Sequence, residues 1–131
     1  MFTLTWLRRI VVLFSLLWIC GFLPYTTFVI SIGKVEDGAV ALNDVTRVVK
    51  DFGYVDAEVS YPKPAKFGFR STEPKGIFVI AQFDAKKKEI EISYSEVSSR
   101  LSEPAAKQLA QLVEKLKVNF GSNAVRLSGP E

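Results

Sequence analysis

Arg8 and Arg9 are followed by an uncharged, mostly apolar run from Ile10 to Ile32, which Lys34, Glu36 and Asp37 close. No other feature constrains the chain as much. A hydrocarbon core of ~30 Å needs about 20 helical residues at about 1.5 Å each, so the run is long enough for one tilted span. A charge at mid-membrane costs ~2.5–3.5 kcal/mol on the insertion scale, and this run places none there. The paired arginines favour keeping their end in the cytoplasm, which puts whatever follows on the other side. The expectation is a signal-anchor or transmembrane segment, residues 1–33, and an extracytoplasmic domain, residues 34–131. The setting is a bacterial-type cell membrane, with the domain periplasmic.

Two other fates compete with an uncleaved anchor. Pro24 divides the run into a core, Ile10 to Leu23, and a tail, Tyr25 to Ile32. A core of that length after two arginines also fits a signal-peptide apolar region of ~7–15 residues. Small residues for a cleavage site are poorly placed. Ser31-Ile32-Gly33 lies too far along, and charged residues separate Ala39-Val40-Ala41 from the run. The third fate is lipidation at Cys20. Leu17-Trp18-Ile19-Cys20 resembles a degenerate bacterial lipobox, with leucine three residues before the cysteine. Ile19 and Trp18 are too large for that pattern, so a cysteine buried in a membrane helix is the simpler expectation.

After the run, charge carries little information. Of 17 basic residues only Arg8 and Arg9 precede Lys34, so the remainder nearly balance 14 acids. The pI near 9.0 therefore gives no nucleic-acid signal, which would require clustered basic charge. Histidine is absent and Cys20 is the sole cysteine. Histidine-activated nucleophiles, thiol catalysis in the domain and histidine or cysteine metal sites are excluded. No phosphate-binding or dinucleotide-binding glycine motif, no G-x-S-x-G and no calcium-loop pattern occurs. No cofactor is expected.

The domain pattern is mixed. Leu42, Val45, Val48, Val49 and Phe52 recur at helical spacing after Asp37-Gly38, and Gly53 stands where a C-terminal cap belongs. Val55, Ala57, Val59 and Tyr61 alternate with polar residues as in a half-buried strand. Gly76 to Asp84 is apolar on both faces and reads as a central strand. Ile90, Ile92 and Tyr94 alternate with Glu89, Glu91 and Ser93, making a hairpin with it. Ser102 caps a second helix, striped by Leu109, Leu112, Val113, Leu116 and Phe120 and ended by Gly121. Ala124 to Leu127 adds a short strand. The order α-β-β-β-α-β defines an α+β fold, two helices on one face of a mostly antiparallel sheet. A strand at Thr27–Ile32 would bring it closer to β-α-β-β-α-β, at the expense of the membrane run.

Candidate sites are few. The segment Pro62 to Lys75 is long for a structureless loop and interleaves cations with aromatics. Lys63, Lys66, Phe67, Phe69 and Arg70 are its candidate binding residues, for lipid, glycan or protein. The cheaper alternative is an edge strand, Lys66 to Arg70, whose phenylalanines tuck into the core. Lys86-Lys87-Lys88 reads as a solvated hairpin tip, with contact to an anionic surface as the rival. Asp56 with Glu58, and Glu89 with Glu91, read as the solvent side of strands.

The expected role is a non-catalytic binding or scaffolding module, tethered to the membrane, with another envelope protein as partner and no nucleic acid. The alternatives are a lipoprotein or secreted accessory or inhibitor subunit of an envelope complex, and a carboxylate-based periplasmic enzyme. A deep pocket gathering acids and bases would favour the enzyme, and an exposed apolar or basic patch the binding module.

Overall fold

The computed structural model describes residues 24–57 and 66–130. In chain order the elements are β1 (Thr26–Ile32), α1 (Gly38–Asp51), β2 (Val55–Asp56), β3 (Lys66–Arg70), β4 (Ile77–Asp84), β5 (Glu89–Glu96), α2 (Glu103–Phe120) and β6 (Val125–Ser128). The strands form one six-stranded sheet in the order β2-β3-β4-β5-β1-β6, with every neighbouring pair antiparallel. The α+β class and the placement of two helices on an antiparallel sheet agree with the sequence pattern.

The largest departure lies in the apolar run. Its tail is strand β1, inserted between β5 and β6. Ile30 and Ile32 lie opposite Ile92 and Ile90, and all four are fully buried. A run of Thr, Val and Ile favours a pleated strand, and Pro24 restricts any helix arriving from the N-terminal side. Ile10 to Ile32 is therefore not a single membrane span. Residues 26–32 are a strand of the folded sheet. No helix among the described residues is long and apolar enough to cross a membrane. Ile10 to Leu23 and Cys20 lie outside the described residues.

The helices start and stop where the sequence marks them. The Asp37 carboxylate accepts hydrogen bonds from the Ala39 and Val40 N–H groups, both 3.1 Å, satisfying two otherwise unpaired donors of the first turn of α1. Ser102 caps α2 through Ala105 N–H, 3.4 Å, and Pro104 sits in the first turn where it costs no hydrogen bond. Gly121, at φ 97°, lets the chain leave α2 in a conformation that side chains rarely adopt.

The core lies between the helices and one face of the sheet. Ile77, Val79, Ile90, Ile92 and Tyr94 meet Val45 and Val49 of α1 and Leu109, Leu112 and Leu116 of α2. Helix α1 lies over β3, β4 and β5, α2 packs beside β6, and the helices touch each other. Every buried side-chain nitrogen or oxygen among the described residues has a hydrogen-bonding partner.

Candidate functional site

Because side chains alternate along a strand, burial on the helix side fixes what lies on the other side. Phe69, Val79, Ile92 and Ile30 point into the core. Their neighbours in sequence form the opposite face, which no described helix covers. Cross-strand register then orders that face into rows. Val55, Arg70, Phe78, Ser95 and Thr27 form one row, and Gly68, Ile80, Ser93, Val29 and Ser128 the next. A third row carries Gln82, Glu91, Ser31 and Arg126.

The face is apolar on one side and polar on the other. Phe78 is 41% exposed, and Val55, Ile80 and Val29 are half-buried around it. Arg70 is exposed beside Phe78. The middle is low: Gly68, Ser93 and Ser95 have little side chain, and the Ser95 and Thr27 hydroxyls hydrogen-bond each other at 2.9 Å. Toward the third row the groups pair among themselves, Gln82 Nε2 with Glu91 at 3.0 Å and Arg126 with Glu89 at 3.1 Å. Such exposed pairs are worth at most ~1 kcal/mol and leave the apolar rows as the surface with unspent contact area.

The candidate residues of the 62–75 segment separate. Lys66 to Arg70 is strand β3, the alternative weighed against a binding loop. Phe69 is buried and Phe67 packs partly against the core, so neither is a surface aromatic. Gly68 and Arg70 alternate to the open face. Lys63 lies outside the described residues, and Lys66 begins β3 opposite Gln82. Of these candidates, Arg70 is the exposed one among the described side chains, and the aromatic opposite it is Phe78.

Sequence reasoning missed Phe78 and Ile80 because Gly76 to Asp84 is apolar in both parities and reads as buried twice over. The signal that could have found them is on the next strand. Ser93 and Ser95 stand opposite Ile80 and Phe78, and two serines on a face imply nothing packed above it. Val55 also departs from expectation. It shares the open face with Arg70, while Asp56, paired with Phe69, turns toward α1 and meets Lys50 at 3.2 Å.

The remaining polar groups serve the fold. Asp84 accepts from Lys86 and Lys87 N–H, 3.0 and 3.2 Å, and shapes the hairpin tip, where Lys88 pairs with Glu36 at 3.5 Å. Near that tip Lys34, Lys87, Glu89 and Arg126 line a groove of about 500 Å³, and Arg126 already engages the carboxylate there. Tyr94 donates to the Ala105 carbonyl at 2.9 Å, and Tyr54 donates to Gln108. Burial pushes the Tyr54 hydroxyl up to about 12 and drives Tyr94 upward as well, so both stay neutral donors. No group of three or more acidic or cysteine side chains suited to a metal ion occurs among the described residues. No protein family matches the chain, and no curated protein is significantly similar to it.

Proposed function

We propose that this chain is a non-catalytic binding module of a bacterial-type envelope, held at the membrane by its N-terminal segment. It meets another envelope protein through the open face of β2, β3, β4 and β1. The observation that carries the reading is Phe78, an exposed aromatic on a sheet face with half-buried aliphatic neighbours, flanked by Arg70. Aromatic and arginine side chains are the groups enriched at the centres of protein interfaces.

Arg8 and Arg9 support a cytoplasmic N-terminus and an extracytoplasmic domain. Strand β1 favours a second reading of the tether. With Thr26–Ile32 in the sheet, the apolar run left is Ile10 to Leu23, roughly 21 Å as a helix at ~1.5 Å per residue. That falls short of a ~30 Å core, so an anchor requires bilayer thinning or snorkelling by the arginines. The length suits a signal peptide, and on that reading the domain is a secreted accessory subunit with the same binding face.

The test is Phe78→Asp in full-length protein produced in a bacterial host. The variant should remain folded, its stability lowered by about 1 kcal/mol because aspartate is disfavoured on an interior strand. Recovery of a site-specifically crosslinked membrane partner should fall to background. Undiminished recovery would overturn the assignment of this face. The intact mass of the mature chain separates a retained anchor from a cleaved signal.

A further inference from the structure

We infer that the domain stands end-on against the bilayer, with Tyr25, Val97 and the turns bearing Lys75 and Arg100 set among lipid headgroups. The inference rests on the tethered reading, whether an anchor helix or a lipid on Cys20 supplies the tether.

The described residues begin at Pro24, directly after the apolar core Ile10 to Leu23, and Tyr25 is 55% exposed there. Thr26 lies opposite Glu96, so Tyr25 and Val97 are the next residues outward on neighbouring strands. Val97 is 40% exposed, and its N–H donates to the Gly76 carbonyl at 3.2 Å, which brings the turn with Lys75 to the same end. The Thr26 hydroxyl donates to the Ser98 carbonyl at 2.8 Å and ties down the turn with Arg100. Lys75 and Arg100 are exposed, as are two of the three acids of this end, Glu73 and Glu103, while the third, Glu96, is buried.

A tyrosine with an apolar body and polar tip and long flexible cations are groups that partition to the membrane interface, and the exposed valine adds apolar area beside them. Here they surround Pro24, the described residue next to the segment that the tethered reading puts in the membrane. The lysine-rich hairpin tip is at the other end of β4, whose eight residues span about 26 Å at ~3.3 Å each. Screening removes most attraction beyond ~8–10 Å, so Lys86, Lys87 and Lys88 do not reach the headgroups that receive the tether. The strands then run along the membrane normal. The open face looks sideways, toward a partner standing beside it on the same membrane.

The test uses the full chain reconstituted in phosphatidylcholine vesicles, with and without phosphatidylglycerol. An environment-sensitive fluorescent residue replaces Val97, Tyr25 or Lys87, one at a time. Flotation of the vesicles reports the tether, and brominated lipids report contact with the headgroup zone. Probes at Val97 and Tyr25 should shift to the blue and lose most of their emission to the bromines. The probe at Lys87 should do neither. A loss that deepens with phosphatidylglycerol assigns the attraction to anionic headgroups, and an equal loss in both assigns it to Tyr25 and Val97. Protein that floats while all three probes behave alike would overturn the end-on inference and leave the tether standing. Protein that fails to float would overturn both.

Discussion

Glu96, at the end of β5, holds Ser102 with both carboxylate oxygens. It accepts from the Ser102 N–H and from its hydroxyl, each at 2.7 Å, and is itself only 7% exposed. One side chain thus fixes where the sheet ends and where α2 begins, while the same serine caps the helix.

Removing the acceptor of a largely buried pair of hydrogen bonds leaves the Ser102 donors without it. Glu96→Ala should therefore cost about 1–3 kcal/mol in urea unfolding, and Glu96→Gln, which keeps one acceptor, clearly less. Equal costs would show that the second carboxylate oxygen, not side-chain volume or the one retained acceptor, sets the effect.

Leu112 is 3% exposed beneath α2, whereas its neighbour Gln111 is on the solvent side. Leu112→Ala should lose ~2–5 kcal/mol, and Gln111→Ala should stay within ~0.5 kcal/mol. Thermal midpoints of the two variants measured side by side check the difference.

Gly38 is the first residue of α1, and glycine in a helix ordinarily yields to alanine by at most ~1 kcal/mol. A Cβ there would lie 2.3 Å from the Phe83 ring, so Gly38→Ala should destabilise by ~1–3 kcal/mol instead. In a Phe83→Ala background the same substitution should cost little or become favourable.

Tyr54 and Tyr94 both contribute to the alkaline pH dependence, and Tyr54 sets the part that falls below pH 12. The Tyr54 hydroxyl is raised from 10.0 to about 12 by burial, so the folded state holds the proton more tightly than the unfolded chain. The associated stability is fully present below pH 10 and is lost as pH rises toward 12. Urea midpoints should fall through that window, with tyrosinate absorbance rising alongside. Tyr54→Phe should show a shallower fall relative to its own value at neutral pH.

Both helices were legible because capping residues, apolar spacing and terminal glycines agree: Asp37 and Gly53 around α1, Ser102 and Gly121 around α2. The β4–β5 hairpin was legible from the alternation of Ile90, Ile92 and Tyr94. Strand β1 was ambiguous for a physical reason. A fully apolar strand and the end of a membrane helix share one composition, and only pairing with Ile90 and Ile92 distinguishes them. The same limit hid the open face, since parity alone does not say which side of Phe78 and Val79 the helices cover.

The most direct test of the central claim is site-specific photocrosslinking in intact membranes. A photoreactive residue is placed at Ser93, in the middle of the open face, or at Lys107, on the exposed side of α2. The account predicts a discrete crosslinked species from Ser93 that disappears when Phe78→Asp is added, and none from Lys107. The same species from both positions, or one from Ser93 that survives Phe78→Asp, would contradict it.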